Sequence, residues 1–416
     1  MDRGIDVLII GAGPAGMMAG VSAKNDDNDV MILEKNSSAG VKLLLTGKGR
    51  CNVTTTKEID EIVDAFGSLG KFLYGSLSRF SNKDIINFFE SRGVRLKEER
   101  GQRVFPKSDN SQDILNCLLK ELKDKDVHIS YSTPVRSISK EKDVFKVRTK
   151  NNDFRAKKII IATGGASYPQ TGSTGDGYKF ARSFGHKIID PIPALTPLLT
   201  KDRNVNELAG LSLKNVEISF SSEEKIFSKE FGEMLFTHNG LSGPIVLKCS
   251  RSVYEHLNLG KKVTCRIDLR PKLNEKTLRQ SIIRKINDTP KKEYKSLLNS
   301  LFPRSLVLYA ASWTGIDLHQ QSSTLTKQQL DALIKFMKYF EFKIEGVESI
   351  KRSIVTHGGV DIKEIDSRTM GSKIVEGLYF AGEIICLDGP SGGFNITKAL
   401  STGYVAGSFA SMNTLS

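Results

Sequence analysis

Two kinds of hydrophobic pattern alternate along the 416 residues of the chain. Residues 5–10 (IDVLII) and 158–162 (KIIIA) are short, almost wholly apolar runs, which is typical of strands buried on both faces of a parallel sheet. A glycine-containing turn follows the first run, then a helix of small residues over 14–24 and a second strand over 29–33. This order predicts a βαβ unit at the start of the chain.

Further along, apolar residues recur with helical spacing. Residues 81–92 predict a helix that is capped by Ser81 and stopped by Gly93, and residues 113–123 predict another. Short alternating runs predict a meander of strands before the chain returns to the buried run at 158–162. The strands of this meander are predicted over 127–131, 134–138, 143–149 and 153–156.

The pattern changes from about residue 195 to residue 350. This stretch has no glycine-rich phosphate loop and alternates strands with helices that carry polar faces. Its predicted elements are strands over 214–220 and 262–269 and helices over 275–287, 291–300 and 326–338. After residue 351 the chain is rich in glycine again, and it ends with a strand over 377–381 and a helix of small residues over 394–411.

These changes predict a nucleotide-binding α/β domain in two separated halves. Residues 1–194 form its first half and residues 351–416 its second half. Residues 195–350 form an inserted β-rich and helical domain. The length of the chain agrees with this division, since a domain takes on the order of 150 residues.

Charge and cysteine content narrow the functional classes. The chain has 61 Lys+Arg against 47 Asp+Glu, a formal net charge of +14, but the basic residues are scattered in pairs without a basic tail or an aromatic-interleaved stripe. We therefore expect a lysine-rich solvated surface and no nucleic-acid partner. The five cysteines form no Cys-x-x-Cys pair and no Cys/His cluster, which argues against a metal site and fits a reducing cytoplasm.

One apolar run, over residues 7–23, could be mistaken for a signal peptide or a membrane span. It is interrupted by Gly11, Gly13, Pro14 and Gly16, and it has neither a basic leader nor a cleavage site. It is also shorter than the roughly 20 apolar residues that cross a bilayer. We therefore expect no signal peptide and no membrane span, and a cytoplasmic protein.

The first candidate binding site directly follows the first strand. Its glycines allow a tight turn, close approach of a pyrophosphate and close helix packing, and the helix N-terminus favours an anion. Glu34 ends the second strand about 20 residues later, where its carboxylate can accept hydrogen bonds from ribose hydroxyls. This context predicts FAD or NAD rather than NADP. The residues of the turn are Gly11, Ala12, Gly13, Pro14, Ala15 and Gly16.

A second glycine-rich loop spans residues 40–52 (GVKLLLTGKGRCN). Gly47 and Gly49 can bring backbone amides against a flavin or a phosphate, and Arg50 can pair with the pyrophosphate. The alternative is a surface loop with incidental glycines. Cys51 has no partner cysteine nearby, so a packed small residue is favoured over a redox thiol.

Two later segments also place glycines directly after a predicted strand. The buried strand at 158–162 runs into Thr163-Gly164-Gly165, a pattern that returns the chain to the cofactor in two-dinucleotide-fold flavoproteins; the alternative is an ordinary turn. Near the end, a strand is followed by Asp388, a candidate for binding a ribityl hydroxyl, and then by a glycine pair that opens the helix over 394–411. The N-terminus of that helix can point at the flavin N1/C2=O edge, where negative charge accumulates on reduction.

Together these segments resemble the FAD-binding flavoprotein superfamily that includes glutathione reductase and fumarate reductase. More narrowly, the chain is similar to the BaiN-like family of NAD(P)/FAD-dependent oxidoreductases, which includes aminoacetone-oxidase-type members. The resemblance implies an α/β fold: a Rossmann-like FAD-binding domain with an inserted β-rich and helical module. It covers essentially the whole chain and rests on DVLIIGAGPAGMMAG (6–20), KLLLTGKGRCNVT (42–54), ATGGASYPQTGSTGDGY (162–178), ALTPL (194–198), GEMLFTHNGLSGP (232–244), VTHGGVDIKEIDSRTMGSKIVEGLYFAGE (355–383) and GPSGGFNITKALSTGYVAG (389–407).

The resemblance also implies which residues contact FAD. The implied contacts are Gly11, Ala12, Gly13, Pro14, Ala15, Gly16, Glu34, Lys35, Lys42, Gly47, Gly49, Arg50, Cys51, Asn52, Thr163, Gly164, Gly165, Gly382, Glu383, Asp388, Gly392, Gly393, Asn395 and Ile396. At the position of His357 the family motif has a small residue, so this histidine is a departure from it. His357 and His238 are the candidates for a catalytic residue, and a structural histidine is the alternative.

The resemblance implies an FAD-dependent oxidoreductase with non-covalently bound flavin. There is no second Gly-x-Gly-x-x-Gly segment, so NADH or NADPH, if used as the electron donor, would dock transiently. We expect reduction of a small unsaturated or carbonyl substrate. The alternatives are a flavin oxidase of a small amine that produces hydrogen peroxide and, from another class, a tRNA-associated or sensory flavoprotein. The sequence does not indicate the oligomeric state.

Overall fold

The secondary structure begins with the predicted βαβ order in the computed structural model, which describes residues 4–412. The strands are β1 (Ile5–Ile10), β2 (Val30–Leu33), β3 (Thr54–Thr55), β4 (Leu96–Glu99), β5 (Arg103–Pro106), β6 (His128–Ser130), β7 (Val135–Glu141), β8 (Val144–Thr149), β9 (Asp153–Ile161), β10 (Ile188–Ala194), β11 (Leu198–Thr200), β12 (Ser212–Ser222), β13 (Lys225–Thr237), β14 (Gly240–Ser242), β15 (Val263–Asp268), β16 (Phe340–Val347), β17 (Val355–Val360) and β18 (Leu378–Phe380). The α-helices are α1 (Pro14–Ala23), α2 (Val41–Leu45), α3 (Ile59–Ala65), α4 (Tyr74–Leu77), α5 (Asn82–Glu90), α6 (Ser111–Asp124), α7 (Asp176–Ser183), α8 (Pro244–Asn258), α9 (Glu275–Asp288), α10 (Tyr294–Leu301), α11 (Arg304–Thr314), α12 (Lys327–Lys338) and α13 (Phe394–Ser411).

These elements form two compact units. The first unit contains the residues up to Ile192 together with those from Ile350 onward, and the second contains Pro193–Ser349. The first unit therefore contains both glycine-rich ends of the chain. Each unit has its own hydrophobic core.

A parallel sheet forms the centre of the first unit. β1 lies between β2 and β9, with Ile9 opposite both Ile32 and Ile160, and β6 and β18 extend the sheet as further parallel strands. The side chains of Ile9, Ile32 and Ile160 are completely buried. The apolar runs at 5–10 and 158–162 are therefore confirmed as strands covered on both faces.

The predicted meander differs from the structure at both of its ends. The segments 153–156 and 158–162 form one continuous strand, β9, whose first part pairs antiparallel with β8 and whose last residues pair parallel with β18. The segment 127–131 does not belong to the meander, because β6 pairs parallel with β2 after the chain has crossed over through α6. Such a pairing depends on the crossover helix, and the alternation within a short strand does not reveal it.

Helices α1 and α13 join the two ends of the chain within the first unit. A Cβ atom at Gly403 would lie 2.3 Å from the carbonyl oxygen of Ala15, and one at Gly407 would lie 2.2 Å from that of Ala19. Only glycine permits this close approach of the two backbones. The Ser22 hydroxyl adds a 2.8 Å hydrogen bond to the Tyr404 carbonyl oxygen.

The second unit contains a closed antiparallel barrel of strand order β11-β14-β13-β12-β15-β16. The predicted strands 214–220 and 262–269 lie in β12 and β15, and the three predicted helices correspond to α9, α10 and α12. The prediction omitted β13, of which only Met234 and Phe236 are buried, so that its alternating pattern is weak. Among the helices of residues 4–412, none combines the length and apolar character of a membrane span.

Candidate functional site

The predicted binding segments meet at one edge of the parallel sheet. β1 ends at the turn of Gly11, β2 ends before Glu34, β9 ends before Thr163, and β18 ends just before Gly382. Because these strands are parallel, their carboxyl ends point to the same edge. In open α/β sheets this edge is where ligands bind.

Two glycines of the first turn are required by the fold itself. Gly11 has φ 104°, and a Cβ atom there would lie 2.7 Å from the Ala162 carbonyl oxygen. At Gly16, a Cβ atom would lie 1.9 Å from the Gly11 carbonyl oxygen. The Glu34 carboxylate completes the turn, since its Oε2 accepts a hydrogen bond of 2.8 Å from the Ala12 N–H.

Gly13 differs from its neighbours because the fold does not require a glycine there. Its backbone is extended (φ −80°, ψ 179°), and no atom lies within 4 Å of the position that a Cβ would take. It caps α1, which continues with Pro14 and has no side-chain cap, so the N–H groups of the first turn remain available to an anion. The open space and the donors fit the pyrophosphate of a dinucleotide.

Four distant segments are held together by a polar network around Glu383. The Lys42 Nζ donates to Glu383 Oε2 (2.7 Å) and to the Ser167 hydroxyl (2.6 Å), while the Thr356 N–H donates to Glu383 Oε1 (2.9 Å). A Cβ at Gly165 would lie only 2.5 Å from the Thr356 hydroxyl. Burial would raise the pKa of Glu383, but the charge and hydrogen bond of Lys42 outweigh it, so its pKa lies below the usual range.

A second buried charge lies on α13. Lys398 is completely buried, and its ammonium donates to the Leu387 carbonyl oxygen. Burial lowers its pKa to about 8 against the opposing influence of the Glu383 and Asp388 carboxylates. The network therefore contains charges of both signs.

The N-terminus of α13 is held by amide side chains. In the orientation that satisfies its neighbours, the Asn52 side chain accepts from the Gly393 N–H (3.0 Å) and donates to the Thr54 carbonyl oxygen (3.0 Å). The Asn395 side chain accepts from the Gly389 N–H (2.9 Å) and donates to the Gly389 carbonyl oxygen (2.7 Å). The helix has neither a side-chain cap nor an acidic residue in its first turn. Its start is therefore fixed in place while the N–H groups after Gly393 remain available.

The two candidate histidines lie in different units. His357, on β17, is 19% exposed, and its Nδ1 lies 2.5 Å from Oδ1 of Asp388, which is 8% exposed. His238 is exposed in the turn between β13 and β14 of the second unit. Within the first unit, the structure brings only His357 together with predicted cofactor-binding residues.

Some predicted residues have protein partners. The Arg50 guanidinium pairs with Glu99 (2.8 Å) and Asp109 (3.2 Å). Cys51 is completely buried, and burial raises the pKa of its thiol to about 12, so it is a packed residue and not a reactive thiolate.

The other predicted residues lie in the loops already described. The Lys35 ammonium donates to Thr174 Oγ1 (2.6 Å) and pairs with Asp176 (2.8 Å). Ala15 is in the first turn of α1 and Ile396 in that of α13. Five further predicted glycines have positive φ: Gly47, Gly49, Gly164, Gly382 and Gly392.

Sequence reasoning missed Ser167, Thr356 and Lys398. Ser167 and Thr356 have ordinary side chains, and only the folded chain shows that both bind Glu383 or its neighbours. Lys398 is recognisable in the sequence by its surroundings. It is a lone charge in a helix of small and apolar residues (FNITKALSTGYVAG), a position that only a buried or paired lysine occupies.

Comparison with known protein families decides the relationship. The family model described as HI0933-like protein Rossmann domain matches residues 5–409. The chain belongs to the HI0933-like family. As a member of this FAD-binding Rossmann family it is an FAD-dependent oxidoreductase, so the resemblance and the fold predicted from the sequence are confirmed.

Two curated relatives match the HI0933-like chain over nearly its whole length. It is 31% identical to a 3-dehydro-bile acid delta(4,6)-reductase of Clostridium scindens over 404 residues, which cover 96% of this chain and 97% of that protein. It is 30% identical to a ribosomal RNA dihydrouridine synthase of Haemophilus influenzae over 407 residues, which cover 95% of this chain and 96% of the relative. A flavocytochrome c3 fumarate reductase structure shares the fold, with a TM-score of 0.52 and 17% identity, covering 98% of this chain and 78% of that one.

The space at Gly13 gives the first testable prediction. A Gly13→Glu substitution should leave the folded protein intact, because nothing in the fold occupies the Cβ position. It should abolish FAD retention, because a carboxylate would lie where the pyrophosphate is expected. The flavin absorbance of purified protein and circular dichroism measure the two effects. Gly13→Gln is the matched control that separates charge from size, and a fully flavin-loaded Gly13→Glu protein would contradict the placement.

Lys398 gives a pH-dependent prediction. Below about pH 8, folded and unfolded chains both carry the proton; between pH 8 and 10.5 the folded chain has lost it and the unfolded chain retains it. The contribution of this group to the free energy of unfolding therefore rises with pH, by about 2 kcal/mol between roughly pH 7 and 9.5.

Urea unfolding of Lys398→Met and of the wild type, at equal FAD concentration, gives the free energy of unfolding of each at each pH. The contribution of Lys398 is the change with pH of the difference between these two free energies. Lys179→Met, at an exposed position on α7, should follow the wild type throughout. A difference between Lys398→Met and wild type that stays constant from pH 7 to 9.5 would show that the folded chain does not lose this proton early.

Proposed function

We propose that the protein uses FAD to reduce a carbon–carbon double bond conjugated to a carbonyl group, with NADH or NADPH as electron donor. The observation that supports this most is the similarity, over nearly the full length, to a bile acid reductase and a dihydrouridine synthase, whose names indicate one chemistry in common. A 3-dehydro-Δ4,6 bile acid has double bonds conjugated to its ketone, and dihydrouridine differs from uridine by a reduced double bond conjugated to a ring carbonyl. The sequence predicts reduction of a small unsaturated or carbonyl substrate, and the reaction shared by the two relatives narrows this prediction to a conjugated double bond.

FAD, when bound, supplies the hydride transfer between the donor and the substrate. The residues of the chain supply binding and electrostatics. The first turn of α1 would hold the pyrophosphate, and Glu34 would accept from the ribose. The N–H groups after Gly393 would face the edge of the ring that gains negative charge, where a helix N-terminus stabilises an anion. Lys42 and Glu383 keep the surrounding loops in place.

Anaerobic mixing experiments test the proposal. NADH or NADPH should bleach the flavin absorbance of the purified protein. A 3-keto-Δ4,6 bile acid or unmodified ribosomal RNA transcribed in vitro should then restore it. Restoration by oxygen alone, together with peroxide formed from small amines, would instead identify the amine oxidase. A flavin that neither dinucleotide bleaches would contradict the proposed donor.

An RNA substrate is the second candidate, and a surface feature of the first unit favours it. A groove of about 450 Å³ is lined by Arg92, Arg95, Lys107 and Lys120 but by only one acidic residue, Asp113. The net charge of +14 acts in the same direction. Arg92 is paired with Glu121 and Lys120 with Asp124, so the proposal rests on Arg95 and Lys107 as the side chains that would bind phosphate groups of a nucleic-acid backbone.

Charge reversal in the groove separates the two substrates. The double variant Arg95→Glu/Lys107→Glu should weaken ribosomal RNA binding at least about tenfold at low salt and reduce its salt dependence, because two phosphate contacts are lost. Reduction of the bile acid should be unchanged. Lys261→Glu/Lys262→Glu, at exposed positions of the second unit, makes the same change in net charge and serves as the control. Equal RNA binding by both double variants would remove the groove from consideration.

A further inference from the structure

We propose that His357, oriented by Asp388, donates the proton that accompanies hydride transfer to the substrate. The inference rests on the proposed function, because reduction of a double bond needs a hydride on one carbon and a proton on the other. It is carried by the short contact of 2.5 Å between His357 Nδ1 and Asp388 Oδ1. Of the two candidate catalytic histidines, only His357 lies in the first unit, which contains the predicted cofactor-binding residues.

The backbone on both sides of His357 is held closely. Before it, the Thr356 N–H donates to Glu383, and the Thr356 hydroxyl accepts from the N–H of Ser167 (3.0 Å). After it, a Cβ at Gly358 would lie 2.6 Å from the Asp190 carbonyl oxygen. The ring of His357 is therefore attached to a segment that cannot shift freely, although the ring itself is partly exposed.

Asp388 lies on the segment that sets the start of α13. The preceding residue, Leu387, accepts a hydrogen bond from the buried Lys398, and the following residue, Gly389, is bound through both its N–H and its carbonyl by Asn395. The His357–Asp388 pair thus connects the Glu383 network to the helix N-terminus. In the proposed function, the Glu383 network and the N-terminus of α13 both lie beside the flavin.

The pair is arranged as a carboxylate that orients an imidazole. With Nδ1–H donated to Asp388, the carboxylate fixes the direction of the ring, and Nε2–H is the proton that can be transferred. The dinucleotide is the source of the hydride, and FAD, when bound, would supply that hydride (two electrons and one hydrogen) to one carbon of the double bond. His357 supplies the proton to the other carbon and is protonated again from water. The donor ends as NAD(P)⁺ and the substrate as its dihydro form.

The test separates the two halves of the reaction in His357→Ala. FAD affinity, measured by calorimetry on the apoprotein, and the rate of bleaching by the dinucleotide should match the wild type. Reoxidation by whichever substrate reoxidises the wild type, the bile acid or the ribosomal RNA, should slow about 100-fold. Added imidazole should restore part of this rate. His319→Ala, at a position whose side chain is 74% exposed in the second unit, is the matched control.

The possible outcomes distinguish failure of the proposed function from failure of the role proposed for His357. If neither substrate reoxidises the wild type, the proposed function fails, and the role of His357 fails with it. If the wild type is reoxidised and His357→Ala is equally fast, only the role of His357 is overturned. Loss of FAD affinity or of bleaching in His357→Ala would assign the histidine to cofactor binding and overturn the proton transfer. Slow reoxidation that imidazole restores supports the proposal.

Discussion

The close approach of α1 and α13 is the contact on which the rest of the first unit depends. Gly403 and Gly407 let the backbone of the last helix touch the backbone of the first, and this joins segments from opposite ends of the chain. A helix that is to present its N-terminus to a ligand must be fixed in position and direction. For α13 this is done by the glycine contact along its length and by Asn52 and Asn395 at its start.

The arrangement of charges around the candidate site follows from this packing. Buried ions are costly unless they are paired. Lys42 is paired with Glu383, and Lys398, whose own counter-charges are carboxylates, is hydrogen-bonded to a backbone carbonyl. Because the cations lie close to carboxylates, little net positive side-chain charge remains around the candidate site. In the proposed function, stabilisation of a negatively charged ring would therefore fall to the backbone N–H groups of α13, which carry no counter-charge.

The parts of the fold that local physics determines were predictable from the sequence. The apolar run of β1, the turn of Gly11 and the start of α13 after Gly393 depend on neighbouring residues, and each lies where it was predicted. Features that depend on distant partners were not predictable. The parallel pairing of β6 and the network around Glu383 arise only when segments far apart in the sequence are brought together.

Gly13 and Gly16 show why a motif alone does not separate fold from function. The letters are the same, but a Cβ at Gly16 collides with the Gly11 carbonyl, whereas a Cβ at Gly13 meets no protein atom. The fold itself requires a glycine at Gly16, whereas no protein atom requires one at Gly13, and there the proposed ligand supplies the reason. The same distinction applies to His357, since the glycine that follows it is required by packing, while its own imidazole has a carboxylate partner on the segment that leads to α13. Packing therefore explains the frame of this site, and the residues that packing leaves unexplained are the ones that we propose to act on a ligand.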